Sequence, residues 1–278
     1  FEMVIELRLP RVASAVAAGV VLAVAGVILQ RLTGNDMASP EVLGVSSGAM
    51  LGLAFGVFFL APGQTGALVG TASIGALAIM ALILFLNRRN GFQAERMVLA
   101  GIAFTALLDA FIGALAATGD LRSLLLLRWM SGSTYGASTS SAVLLVGLSV
   151  VLVGAALIFV RGIDLLVLGG EMAGSLGVRV RAARASLFGL AGLLTAAATI
   201  SVGPLSFIGL MAPHIARQLG FHGARAQILA SASAGASLML LADFIGRYGY
   251  FPYEMPAGLI SALVGTPFLM LLLSRRRA

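Results

Sequence analysis

Nine long apolar runs, separated by short polar turns, make up most of this chain. They fall at about 12–31, 44–61, 65–86, 97–118, 140–160, 184–202, 203–219, 226–246 and 256–273. A helix needs ~20 residues to cross the hydrocarbon core of a bilayer. The runs are continuous instead of alternating, which predicts helices and excludes a transmembrane β-barrel. Composition agrees: 59% of the 278 residues are hydrophobic and 10% are charged, against about 25% charged in a soluble domain. The expected fold class is all-α, a polytopic helical membrane protein of about nine crossings, with 1–278 as a single transmembrane domain. Turns are predicted at Thr33-Gly34-Asn35-Asp36, Ala61-Pro62-Gly63, the 87–91 segment, Thr118-Gly119-Asp120 and Phe251-Pro252-Tyr253. Pro204 and Pro213 interrupt 184–219, which reads as two crossings or as one crossing and a re-entrant piece.

Orientation follows from arginine. All 18 basic residues are Arg. With nine crossings and the N-terminus outside, Arg31, Arg88, Arg89, Arg96, Arg161, Arg179, Arg181, Arg184, Arg217, Arg225 and Arg275 to Arg277 lie on the cytoplasmic side. Arg8, Arg11, Arg122, Arg128 and Arg247 face out, a bias of 13 to 5. Eight crossings would turn the C-terminal arginines outward and weaken that bias, so nine are preferred, with the C-terminus cytoplasmic. The net charge of +7 thus reports orientation, and no nucleic-acid partner is expected. With no Lys, the chain has no P-loop lysine and cannot be its own Walker-type ATPase; with no Cys, it has no thiol nucleophile or thiolate metal site. No catalytic residue, cofactor or metal ligand is assigned to it.

Several segments are more than membrane filling. In 168–178, Leu168, Met172 and Leu176 recur at i, i+4 and i+8, the stripe of a short amphipathic helix. Glu171 sits near its start, where a negative charge suits the helix dipole, and Gly177 is placed to end it. Such a helix lies on lipid or plugs into a partner's groove. The 30–49 link is polar and holds Gly34, Pro40 and Gly44, so it is a surface loop or lines a cavity. The 203–217 segment, with two prolines and two glycines, predicts a broken or kinked crossing, and His214 and Arg217 lie one turn apart near its inner end. Arg8, Arg11 and Arg247 run against the positive-inside bias; Arg247 stands four residues from Asp243, near enough to pair with it. Asp109 falls mid-crossing, where an acid relays protons, binds a cation or joins two helices. Gly48, Gly52 and Gly56 recur at helix-packing spacing.

Together these segments resemble the permease subunit of binding-protein-dependent ABC importers for iron-siderophores, haem and cobalamin. The resemblance runs from Arg8 to the C-terminal arginines. It is carried by Leu7-Arg8-Leu9-Pro10-Arg11, the 30–49 stretch, Leu99-Ala100-Gly101, the 168–178 stretch and the 203–217 stretch. Gln30-Arg31-Leu32-Thr33-Gly34-Asn35 with Met37-Ala38-Ser39-Pro40-Glu41 is most similar to the iron(III)-hydroxamate (ferrichrome-type) branch, in the C-terminal half of its fused permeases. So are Trp129-Met130-Ser131-Gly132-Ser133-Thr134-Tyr135 and Gly203-Pro204-Leu205-Ser206-Phe207 with Gly209-Leu210-Met211-Ala212-Pro213-His214. Two departures stand out. The crossing that precedes Leu7 in a ten-helix family unit is missing, which with the Phe1 start implies one half of a two-half polypeptide or a trimmed unit. Asp36 replaces a usual Pro.

The resemblance implies a type II ABC importer permease in the bacterial cytoplasmic (inner) membrane. Leu168, Glu171, Met172, Gly174, Leu176 and Gly177 would couple to a cytoplasmic ABC ATPase dimer, where ATP and Mg bind. Arg8, Arg11 and Arg247 would dock a periplasmic or lipid-anchored siderophore-binding protein, and their reversal to Glu is expected to weaken docking and leave the bundle folded. Asn35, Met37, Ala94 and Glu95 would line the cytoplasmic gate. A second permease half, fused or separate, and the lipid bilayer complete the partners. The alternatives are an ion-coupled secondary transporter using Asp109, the same ABC role with haem or cobalamin, and a non-transporting receptor.

Overall fold

The computed structural model describes residues 8–60, 65–249 and 253–275. The expected turn at Ala61-Pro62-Gly63, the Phe251-Pro252 part of the last turn, and Leu7, Arg276 and Arg277 lie outside the described residues. Among the described residues the chain is helical, with no strand. Twelve α-helices follow in order there: α1 Leu9–Thr33, α2 Val45–Phe55, α3 Thr65–Asn87, α4 Ala94–Ala116, α5 Leu121–Met130, α6 Thr139–Ile158, α7 Val160–Val167, α8 Gly170–Ser175, α9 Val180–Val202, α10 Ile208–Gln218, α11 Ala224–Tyr248 and α12 Ala257–Arg275. Six of them, α1, α3, α4, α6, α9 and α11, are long and apolar enough to cross a membrane; the apolar part of α12 and α2 with its π-turn Gly56–Leu60 are shorter.

The centre of the bundle is α1. Of its apolar window 78% is buried, against 17% for α4. It packs on α6, α9, α10 and α11. Pro10 sits in its first turn, where a missing N–H costs nothing, and Gly34 closes it at φ 61°. Lipid tails are as apolar as the helices, so close backbone approach replaces the hydrophobic effect as the source of cohesion. A Cβ on Gly19 would stand 2.2 Å from the Gly235 carbonyl oxygen of α11, and one on Gly26 would stand 1.8 Å from that of Gly209. Gly48 and Gly52 meet Gly75 and Thr71 of α3 in the same way, while Gly56 lies against Thr71 and Leu68. Gly19→Ala is expected to destabilise by about 1–3 kcal/mol, because backbone must move, whereas Gly147→Ala, with open space around it, should be neutral or better. Thermal unfolding of the two purified variants checks this pair.

Two expected crossings are interrupted. After α1 the chain re-enters the bundle: residues 34–39 lead into a 3-10 turn, Pro40–Leu43, closed by Gly44 at φ 71°. Only then does α2 begin, level with Gly101 of α4 and Ile79 of α3. After α9 the mirror event occurs. Gly203 packs on Trp129 and Gly132 at the Arg11 end of the bundle, residues 203–207 run without helix, and α10 starts with Gly209 against Leu22 and Gly26 of α1. Its 11 residues span only about 16 Å, half the hydrocarbon thickness. The 203–219 run therefore crosses as an extended half followed by a helical half.

Two helices go beyond what the apolar runs predict. One is α5, capped by the Asp120 side chain, which accepts from the Arg122 amide. The other is α7, which joins α6 to the expected short helix α8 in the connection leading to α9.

Candidate functional site

The connection at 159–179 builds a protruding knob. A bend at Phe159 separates α7 from α6. Gly169 at φ 99° turns the chain into α8, and Gly177 at φ 85° ends it. The Val178 amide donates to the Ala173 carbonyl at 3.0 Å and the Gly177 amide to Gly174 at 3.0 Å, the double bond of a glycine-terminated helix. Ala173 is fully buried beneath the knob, while Leu168, Met172 and Leu176 are 54, 55 and 57% exposed. Gly174 borders open space and Glu171 is exposed in the first turn. Leu168 ends α7, Met172 lies in α8 and Leu176 just follows it. The Gly169 turn thus splits the expected single-helix stripe, yet the three exposed apolar side chains still form a surface that water does not favour.

The knob is tied to the buried helices. Asp164 of α7 accepts from Arg31 Nη1 at 2.8 Å and from the Ala224 amide at 3.1 Å, joining α7 to the ends of α1 and α11. Arg31 also donates to Gln227 Oε1 at 2.6 Å and to the His222 carbonyl. Gly170 lies near the Arg184 guanidinium of α9. These contacts connect α7 to the ends of α1 and α11, and the start of α8 to α9.

The expected gate residues divide between two places. Ala94 and Glu95 line a cavity of about 480 Å³ with Arg31, Thr33, Gly34, Gly169 and Arg184, directly beside the base of the knob. Asn35 is exposed; its side chain accepts from the Met37 amide at 2.9 Å. Asp36 pairs with Arg217 at 3.3 Å, and Arg217 donates to Gln30 Oε1 at 2.7 Å. Buried Gln30 in turn donates to the Ala38 carbonyl at 3.2 Å, so the Asp36 departure is absorbed by the neighbouring helix α10. His214 lies edge-on to Phe268 and within 3.0 Å of Gln218.

The three arginines expected to face outward separate. Arg11 Nε donates to Asp243 Oδ1 at 2.8 Å and its Nη1 to Glu254 at 2.8 Å. Arg247 holds the other Asp243 oxygen at 2.5 Å, and Thr134 also donates to Asp243. Asp243 is 2% exposed, so Arg11 and Arg247 first serve to neutralise a buried acid. Reversal of either to Glu is therefore expected to weaken the bundle as well as any docking, whereas reversal of Arg8 is expected to leave the fold intact. Arg8, exposed at the start of α1, has no ion-pair partner among the described residues. Asp109 stands on the exposed side of α4.

Three further residues make long-range contacts that sequence reasoning misses: Asp164 and Gln227, as above, and Glu41, whose carboxylate accepts from the Phe207 amide at 2.6 Å. The first two lack any spacing signal, since their partners are distant in sequence. Glu41 has one, an acid inside a segment that enters the membrane, but only the re-entrant path makes it visible.

A bundle of apolar helices interrupted at 34–44 and 203–207, with an apolar knob at one end, has the broken helices that line sites in membrane transport folds. The chain belongs to the FecCD transport family, whose model matches residues 1–275. It is 44% identical over 276 residues to the iron(3+)-hydroxamate import system permease protein FhuB of Salmonella typhimurium LT2, covering 99% of this chain and 40% of that protein. The hemin transport system permease protein HmuU of Yersinia pestis is 39% identical, with 98% of this chain and 83% of that one covered. The chain thus spans less than half the length of the FhuB relatives it matches. Among solved structures, a metal-chelate-type ABC transporter in an inward-facing conformation superposes with a TM-score of 0.92 at 25% identity, over 99% of this chain and 88% of the other.

Proposed function

We propose that this chain is one half of the membrane pore of an ATP-driven importer of iron(III)-hydroxamate chelates, and that it catalyses no covalent step itself. The observation that carries this reading is the exposed Leu168–Met172–Leu176 knob, fastened through Asp164 and Arg31 to the central helices. It is built to receive a push from a partner. Similarity to FhuB supports the hydroxamate class, and the greater length of FhuB supports a second, homologous half. In this reading the knob seats in an ABC ATPase dimer that binds ATP and Mg. The chain sits in the bacterial inner membrane with its N-terminal end outside and its C-terminal end cytoplasmic, as the arginine bias argues. Arg8, with the outer edges of Arg11 and Arg247, meets a periplasmic or lipid-anchored binding protein. Asn35, Met37, Ala94 and Glu95 face the inner mouth. ATP binding and hydrolysis shift the population between two packings of rigid helices.

The test is uptake into vesicles holding the full-length permease, its ATPase and its binding protein. Radio-iron-loaded ferrichrome should accumulate only when ATP is supplied on the ATPase side, and faster than hemin or ferric citrate. Asp109→Asn should leave that ATP dependence in place. Accumulation driven by an ion gradient without ATP, abolished by Asp109→Asn, would instead establish the secondary-transporter alternative.

A further inference from the structure

Two helices, α2 and α10, begin inside this bundle, and a carboxylate from the turn before the first reaches the start of the second. The 3-10 turn Pro40–Leu43 leads into α2, which runs toward the Arg11 end. Starting at the same depth, α10 runs toward the Arg31 end. The Glu41 carboxylate accepts from the Phe207 amide at 2.6 Å, at the mouth of α10. Phe207 holds φ 67°, one of two non-glycine residues with positive φ among those described. That is a conformation a bulky side chain rarely adopts unless its surroundings impose it. Pro40 packs on Gly209 of α10.

The link has outer neighbours on both sides. The Val42 carbonyl oxygen would lie 2.2 Å from a Cβ on Gly101 of α4, and the Phe207 ring 2.3 Å from one on Gly265 of α12. Among the described residues α4 and α12 share no packed face. At mid-depth they are connected through the Val42–Glu41–Phe207 link. The same two interrupted segments are joined again lower down, by Asp36, Gln30 and Arg217.

We propose that Glu41 is a positioning residue for transport. It fastens the re-entrant 34–44 segment to the start of α10, so that α4, α10 and α12 move as one body at the membrane centre when the knob is displaced. Without that bond the Phe207 amide is orphaned in a water-poor site, and the two half-crossings separate. The Glu41 side-chain oxygen is needed as an acceptor at the start of α10. This rests on the reading of the chain as an ATP-driven permease.

The experiment measures ATP hydrolysed per radio-iron-loaded ferrichrome accumulated, in vesicles holding the full-length permease, its ATPase and its binding protein. Glu41→Ala should raise that ratio about tenfold while ATPase attachment is retained. Glu41→Gln, which keeps an acceptor oxygen, should stay within about twofold of the unsubstituted protein. A variant that merely folded poorly would lower hydrolysis and uptake together and leave the ratio unmoved. Should Glu41→Ala be lost from the membrane, Glu41→Asp, one methylene shorter, carries the same expectation. An unchanged ratio in the Ala or Asp variant, or a Gln variant as uncoupled as Ala, overturns the proposal. Absence of ATP-dependent uptake in the unsubstituted assembly would instead strike the permease reading itself.

Discussion

Asp243→Ala should cost about 3–5 kcal/mol of stability, because it leaves Arg11 and Arg247 in place and removes the acid that both hold. The three charges lie where water is scarce: Asp243 is 2% exposed, and the Arg11 and Arg247 side chains are 12 and 20% exposed. Arg11 keeps Glu254, so the loss falls most heavily on Arg247 and on the Thr134 hydroxyl. For a chain of this size the cost corresponds to a melting temperature lower by about 10 °C. Arg11→Ala should cost less than the acid's removal, and the double variant less than the sum of the two, because the residues act as one network. Thermal unfolding of the purified full-length permease in detergent measures all three. A melting temperature within about 2 °C of the unsubstituted protein for Asp243→Ala would show the network to be structurally idle.

The second large effect concerns the knob. Met172→Asp should weaken ATPase attachment about 10–100-fold, since seating a Met-sized side chain contributes roughly 1.5–3 kcal/mol and a carboxylate there must be desolvated. It should leave thermal stability unchanged, because Met172 is already more than half exposed. Ala173 provides the contrast. It is one residue away and fully buried, so Ala173→Asp should strike the fold itself. ATPase binding and unfolding temperature, measured on both variants, separate a docking surface from a packing one. Equal loss of stability in both would mean that α8 is an ordinary part of the bundle.

What can be read from the sequence is what is local. The apolar runs mark α1, α3, α4, α6, α9 and α11 because length and hydropathy suffice for a full crossing. Gly177 marks the end of α8 because its left-handed conformation is nearly private to glycine. Arg247 reaches Asp243 because four residues make one helical turn. What stays hidden depends on depth and on distant partners. Prolines and glycines mark 203–217 as broken or kinked, but hydropathy records only how apolar a run is. That residues 203–207 run without helix before α10, and that the 44–61 run yields a helix shorter than a full crossing, therefore stays hidden. The Leu-rich α5 reads as loop, since Arg122 and Arg128 interrupt a run too short to cross. Arg11 reads as an outward contact because its own helix α1 carries no acid; its partners, Asp243 and Glu254, arrive from the far end of the chain. Glu41 reads as an ordinary loop acid for the same reason.

Transport by the proposed permease depends on the knob at Met172 receiving force from the cytoplasm. These 278 residues contain no cysteine, so Met172→Cys places a thiol there with no background from them, and the unsubstituted assembly controls for thiols elsewhere. In vesicles holding the full assembly, that thiol should cross-link to the ATPase, with a yield that changes when ATP is bound. Labelling of the introduced thiol only by reagents confined to the periplasmic side, or only by lipid-dissolved ones with no cross-link to the ATPase, would contradict it.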